Sequence, residues 1–430
     1  MKNHEQSPDG SPDENIFGIT LGVSIAIFVK KTDSDQLGRL HHCDMYGKKR
    51  AKKEFLNSHS LTNVEWTDLT PVAPDYFFVP KDFTMQEEYE QGFCIDQLFK
   101  HYNSGVQSKR DELNIFFSDE ERKAVLHDFK EGDLISLHGK YKLEETSGWS
   151  VHNAIKDMQS NPVLTTKINY RPFDTRFTNY TGKSSGMMGR PRHKTSQHLI
   201  GKDNLALITC KQQSSFPFQH VFVTRLISDL NSISAQSKEQ SYVFPLYVYD
   251  KDGKRMVNFN REVVRQISSD ANPQTIFDYV YAVLHSNHYR QRYRELLKLG
   301  FPRIPYPQNQ EMLESIAAIG ARLRELHLLE SLPAGLGALG VSYQGRGNDT
   351  VEKMEWCDNA VWINNDNRFE GISDAVWNFY IGGYQPMQKW LQYRKNRRLS
   401  PDDIIHYEKM AYAIKYSINL IKELDSLMLL

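Results

Sequence analysis

The chain has 430 residues, 40% of them hydrophobic and 25% charged. That is the balance of a globular protein with a sizeable core, and the length suits about two to three domains. Its 53 basic and 53 acidic residues cancel to a formal net charge of zero, which excludes a global polyelectrolyte attraction to nucleic acid and leaves only local basic patches. Cys43, Cys94, Cys210 and Cys357 form no Cys-x-x-Cys pair. Their scatter argues against a zinc ribbon or a disulfide scaffold and suits a reducing cytoplasm. The longest apolar run, near Ile25 to Val29, is too short to span a bilayer, so no membrane association is expected.

Residues 1–15 are polar, with Pro8, Pro12 and several acids. They predict a disordered tail and not a signal peptide. Ile16 to Lys31 reads as one or two strands, apolar and rich in β-branched residues. Its continuous hydrophobicity predicts burial on both faces, yet the preceding tail cannot supply the covering helices. His41-His42-Cys43 lacks a companion ligand cluster and reads as structural or surface. Gly47 to Leu56 predicts a short basic helix, and Val64 to Pro80 a proline-punctuated loop anchored by aromatics. A helix ends near Asn103-Ser104-Gly105. The loop after it carries Gln107, Lys109 and Arg110, donors suited to phosphates or base edges, or to an ordinary solvated surface. Asp119 to Phe129 predicts a charged amphipathic helix.

From Lys167 the character changes. Lys167 to Arg176 is strand-like, turns at Arg171-Pro172, and ends on Arg176. Between Thr175 and Ser228 the only acid is Asp203. Gly182, Gly186 and Gly189 predict a flexible loop over Thr181 to Arg192. Arg190-Pro191-Arg192, followed by Lys194, could enter a groove of duplex DNA. Strands are expected at Leu205 to Cys210 and Val221 to Thr224, with Lys211-Gln212-Gln213 between them. Gln can contact adenine bidentately and Lys can contact guanine. DNA contact and a merely solvated basic loop are both open on charge alone. Tyr242 to Tyr249 predicts another strand, closed by an Asp250 to Lys254 turn.

Ile276 to Pro305 predicts a helix pair. Ile276, Val280, Val283 and Leu284 mark the first stripe, and Tyr289, Tyr293, Leu296 and Leu297 the second. Ser286 or Asn287 can cap the second helix. Arg290, Arg292, Arg294 and Lys298 fall on its other faces, and Arg303 lies in the rigid segment after Gly300. A solvated basic face or a phosphate-holding one fits this pattern. Glu311 to Leu329 predicts a further helix, and Leu332 to Leu339 a glycine-containing loop without the strand–turn–helix context of a dinucleotide site. Short strands are expected at Val351 to Trp356 and Ala360 to Ile363. No acid occurs from Ala375 to Pro401, against Lys389, Arg394, Lys395, Arg397 and Arg398. Ser400 predicts the cap of a final helix with Asp402 and Asp403 in its first turn.

There is no Gly-x-x-x-x-Gly-Lys-Ser/Thr phosphate loop and no glycine-rich S-adenosylmethionine loop. Asn161-Pro162-Val163-Leu164 lacks the second proline and the aromatic by which amino-methyltransferases grip a flipped base. No catalytic residue, cofactor site or metal site is assigned.

Five stretches together resemble the C-terminal half of Type ISP restriction–modification enzymes and related fused DNA adenine-N6 methyltransferases. They are GITLGVSIAIFVKK (18–31), INYRPFDTR (168–176), FPLYVY (244–249), YVYAVLHSNHYRQRYRELLKLGFPRIP (279–305) and IGGYQPMQKWLQYRKNRRLSPDDIIHY (381–407). The resemblance implies an α+β mixed fold: closing strands of a methyltransferase sheet, then a mixed α/β target-recognition domain and a helical C-terminal portion. The expected boundaries are 1–15, 16–60, 61–270 and 271–430. Asn287 departs from the pattern, where proline is expected, although Asn still caps. The implied role is a DNA specificity module that positions duplex DNA for adenine-N6 methylation and restriction by domains not in this chain. S-adenosylmethionine is implied for those domains, and a methyltransferase or helicase–nuclease chain as a partner. The alternative is half of a split adenine methyltransferase. Candidate DNA-contacting residues are Gln107, Lys109, Arg110, Arg171, Arg176, Arg190, Arg192, Lys194, Lys211, Gln212, Gln213, Arg290, Arg303 and Arg394.

Overall fold

The strands that the sequence spaces widely apart meet in a four-stranded antiparallel sheet, ordered Asn103–Ser104, Ser241–Pro245, Ala206–Cys210 and Val221–Thr224. The structure is a computed structural model that describes residues 7, 11–19, 22–30, 38–73, 76–146, 148–214, 217–332 and 340–428. It divides into two compact units, 1–83 and 84–430.

In the first unit, Leu40–His42 pairs with Thr67–Leu69, and the helix Lys49–Ser58 lies between them in sequence. His41 sits opposite Asp68, with Nδ1 2.5 Å from its carboxylate. The strand expected over Ile16–Lys31 has no ladder among its described residues. Ile25, Phe28 and Val29 are 67%, 78% and 82% exposed. A strand apolar on both faces is stable only inside a sheet covered on both sides, and this unit supplies no pairing strand among the described residues, although the Phe28 ring lies 6.1 Å from that of Phe78.

In the second unit every residue of Ala206–Cys210 and Val221–Thr224 is buried. The strands are apolar and β-branched, as suits a covered sheet. The helices Pro273–His285 and Gln310–His327 lie against the Val221–Thr224 strand. Asn272 caps the first, with Pro273 at its first position, and Asn309 caps the second. From Ile276 to His285 the first helix is buried on all sides, the pattern of a central helix. Gly320 is the close-approach point of the pair, where a Cβ would run into the Asp278 carbonyl. Asp278 and Arg324 form a buried ion pair at 2.7 Å beside it. The 27-residue helix Pro401–Leu427 closes this layer, started by a capping box of Ser400 and Asp403. Its Asp425 accepts from Ser286 Oγ (2.7 Å) and Asn287 Nδ2 (3.1 Å). Asn287 therefore ties the helix corner to the C-terminal helix, a bond proline could not make.

The hairpin Thr165–Arg171/Asp174–Tyr180 stands beside the sheet. Segment Ile227–Leu230 joins them, bonding Asn169 on one side and Val106 on the other at 2.8–2.9 Å. Helices Asp119–Glu131, Leu134–Tyr141 and Val151–Ser160 form a separate apolar layer around Leu113, Phe129, Leu137, Trp149 and Met158. A second antiparallel sheet, ordered Ser342–Gln344, Arg368–Glu370, Ala360–Trp362 and Glu355–Cys357, rests on the C-terminal helix through Phe369 and Tyr407, whose rings lie 4.4 Å apart.

Tyr242 to Tyr249 is not one strand. It divides after Pro245, and Tyr247–Tyr249 pairs instead with Arg255–Val257. Val351 belongs to no regular strand and bonds the 395–397 turn. Residues 333–339 of the predicted glycine-containing loop lie outside the described residues.

Candidate nucleic-acid interface

Two loops, one following a strand of the central sheet and one following the hairpin, meet. After Asn103–Ser104 the chain continues through Gly105 and Val106 to Gln107, and after the hairpin it returns through 181–192. Gln107 and Arg190 form an antiparallel bridge, each backbone N–H donating to the other's carbonyl at 2.9 Å. Residues opposite one another in such a bridge project their side chains to the same face, with Cβ atoms about 5 Å apart. Gln107 and Arg190 are therefore neighbours by construction, although 83 positions separate them.

The loop pair carries its own strain. Lys109, Ser185 and Arg192 have φ of 68°, 54° and 52°. Left-handed backbone in non-glycine residues concentrates at functional sites, where the surroundings over-determine the conformation. Lys109, Arg190 and Lys194 are exposed, and Gln107 and Arg192 are half-buried. Among the described residues no carboxylate pairs with Lys109, Arg190, Arg192 or Lys194. Arg192 Nε is buried without a hydrogen-bond partner. Arg110 is more committed: its guanidinium donates to the Glu144 carbonyl and lies 5.4 Å from the Trp149 ring.

A second group emerges at the same end of the sheet, since Cys210 pairs with Ser241 and Ser104 pairs with Tyr242. Lys211 and Gln212 are exposed, whereas Gln213 is buried. Lys211 Nζ lies 6.0 Å from the Phe301 ring centroid, at the margin of cation–π distance. The loop is anchored by Glu239, fully buried with His220 at 2.9 Å. Glu239 also accepts from Ser214 N (2.8 Å) and Ser234 Oγ (2.7 Å). Burial alone would raise this carboxyl, but the His220 bond and the other donors hold it down at about 2.

Other candidates are committed to internal partners, with Arg171, Arg176 and Arg394 buried and Arg290 and Arg303 half-buried. Arg171 donates to Asp229 at 2.7 Å, 3.7 Å from the Tyr170 ring. Arg176 chelates Asp174 through two bonds of 2.8 and 2.7 Å, and Arg394 reaches the same carboxylate at 3.2 Å. Burial would raise the Asp174 carboxyl, yet the two guanidiniums hold it below the usual carboxylate range. Arg290 turns inward and donates to the Leu284 carbonyl at 2.7 Å, and burial pulls its pKa down to about 10. Arg303 donates to the Gly92 carbonyl at 2.9 Å beside the short ladder of Arg303–Ile304 with Phe93–Cys94. These five guanidiniums hold elements together and present no free face at the loop pair.

The sequence reading missed the groups that mount the loops. Met187 is fully buried at the middle of 181–192. Its carbonyl accepts from Trp149 Nε1 (2.9 Å) and Asn114 Nδ2 (3.1 Å), and its N–H donates to Asp157 Oδ2 (2.8 Å). The available signal was Asp157 itself, a carboxylate among the buried Val151, Ala154 and Met158 of one helix. The loop expected to be flexible is thus fastened from three directions, and its glycines serve close approach. A Cβ on Gly182 would lie 2.5 Å from the His193 ring, and one on Gly189 2.5 Å from Lys109 Cγ.

The fold thus mounts two cationic loops on a mixed helix-and-strand frame. The family model of the Type ISP C-terminal specificity domain matches residues 97–423, and the chain belongs to that family. Three solved structures share the fold. The ATP-dependent Type ISP restriction-modification enzyme LlaBIII bound to DNA has a TM-score of 0.74 and 20% identity, covering 97% of this chain and 30% of that one. A nuclease-deletion mutant of the Type ISP restriction-modification enzyme LlaGI, in complex with a DNA substrate mimic, has a TM-score of 0.71 and 19% identity, covering 98% and 42%. The DrdV–DNA complex has a TM-score of 0.67 and 18% identity, covering 88% and 42%. The chain thus spans 30 to 42% of the length of these proteins. No curated protein matches it.

Proposed function

We propose that this chain is the target-recognition module of a restriction–modification system, reading duplex DNA through the loops 107–110 and 181–194. One observation carries the reading: the Gln107–Arg190 bridge sets an amide and a guanidinium side by side, among cations with no acidic partner among the described residues. Arg reads guanine and Gln reads adenine in the major groove, each with paired hydrogen bonds. Lys109, Arg192 and Lys194 then hold phosphates and fix the register. Lys211 and Gln212 extend the surface along the same sheet end. The three similar solved structures are each described with DNA or a DNA mimic, which supports this choice of ligand. Adenine-N6 methylation from S-adenosylmethionine, and restriction, fall in this reading to catalytic domains outside the chain. Among the described residues no helix is long and apolar enough to cross a membrane; the cytoplasm, where such a module would meet DNA, belongs to the proposal.

The test is the double variant R190A/R192A, titrated with duplex DNA over a salt series. Binding should weaken, and the slope of log affinity against log salt should fall by about one to two, with the melting temperature little changed. Unaltered affinity and slope in a folded variant would remove this surface from the DNA.

A further inference from the structure

Asp157 lies on the Val151–Ser160 helix and is 2% exposed. One carboxylate takes donors from the start and the middle of the reading loop. Thr181 Oγ1 donates at 2.9 Å to Oδ1, and Met187 N at 2.8 Å to Oδ2. Asn161 Nδ2 donates at 2.9 Å to Oδ1 and closes the helix end. Gly186 lies against the same group, where a Cβ would sit 2.6 Å from Asp157 Cγ. The chain between Thr181 and Met187 is thereby folded around the carboxylate. Arg190, three residues past Met187, inherits its position from it. Ser185 N donates to the Gly189 carbonyl at 3.0 Å, and Gly189 N to the Ser108 carbonyl at 3.2 Å. This chain of bonds runs from Asp157 to the Gln107–Arg190 bridge without touching the exposed cationic side chains.

We infer that Asp157 is a positioning residue for base readout, fixing the Arg190 side of the Gln107–Arg190 pair so that sequence discrimination, and not general DNA affinity, depends on it. The inference rests on the DNA-recognition reading above. Phosphate contacts tolerate displacement, because a cation on a flexible stem follows the backbone; paired bonds to a base edge do not. Loosening the clamp therefore separates the two kinds of binding.

The experiment compares D157A, D157N and T181V with the natural chain. Each is titrated with the duplex enriched from a randomised pool and with the unselected pool, and hydrogen exchange is followed over 182–190. D157A strips the Met187 N–H of its acceptor, and affinity for the enriched duplex should fall about ten- to a hundredfold. Affinity for the pool and its salt slope should hold. D157N keeps an acceptor for Met187 N–H and should retain most of the discrimination. T181V removes the hydroxyl that donates to Asp157 and accepts from exposed Lys183 N (3.2 Å), keeps the side-chain volume, and should give a smaller loss of the same kind if D157A does not fold. Equal losses on both DNAs, or an unchanged ratio in D157A and T181V, would overturn the inference while leaving the DNA reading intact. If the natural chain enriches nothing, the DNA reading fails on its own. Hydrogen exchange then decides the clamp: faster exchange over 182–190 in D157A supports it, and unchanged exchange overturns it.

Discussion

Asp174 shows at the scale of one residue why a basic region in a sequence is not yet a surface. Arg176 and Arg394 both donate to it, and Arg394 comes from 220 positions away. Composition exposes the cations of Thr175 to Ser228 and Ala375 to Pro401 but not the carboxylates that a fold delivers to them. Asp174 is 2% exposed, so removing its charge takes the carboxylate from buried Arg176 and leaves Arg394 with Asp403 at 3.3 Å. Asp174→Asn is expected to cost about 3–5 kcal/mol in urea unfolding, and a loss below about 1 kcal/mol would contradict an interior role. The same blindness runs the other way at Gln107 and Arg190. Each was legible as a donor on a loop, while their pairing depends on the meeting of segments that no local pattern connects.

Among the elements, helices were the most legible, because their signals are local. The Ser286 and Ser400 caps and the apolar stripe of 276–284 survive in the structure. The glycine loop was only partly legible: Gly182 does use backbone freedom, at φ 81°, but all three glycines also make room, for His193, Asp157 and Lys109. The helix layer also contains a titratable element that periodicity does not show. His327 is buried between Tyr281 Oη at 2.5 Å and Ser417 Oγ at 3.1 Å, on three helices. Burial, with Arg290 nearby, pulls its pKa from 6.5 to about 3. The unfolded chain then binds a proton that the folded chain refuses, so this contribution is full above pH 6.5 and is lost as pH falls through the window toward 3. H327Q should be about 1–3 kcal/mol less stable than the natural chain near pH 7. That deficit should shrink by about 1.4 kcal/mol per pH unit on acidification below pH 6.5. A deficit independent of pH, measured by denaturant unfolding, would contradict a neutral buried imidazole.

Across the whole molecule, the resemblance was legible because its five stretches spread over the chain from Gly18 to Tyr407, and the family match over 97–423 agrees with it. The strand region at Ile16–Lys31 was legible as hydrophobicity and not as structure, since pairing belongs to whatever lies beside it. Phe17, Ile25, Ile27, Phe28 and Val29 remain exposed, an apolar run larger than scattered surface residues account for. The DNA reading draws on the unit 84–430, where the paired loops, their mount and their unpaired cations all lie. Its most direct test is selection from a randomised duplex pool by the purified chain over a salt series. Enrichment of one short motif, persisting as salt rises while pool binding falls away, is the predicted result. Binding that vanishes with salt and enriches no sequence would contradict a recognition module and leave only a phosphate-holding surface.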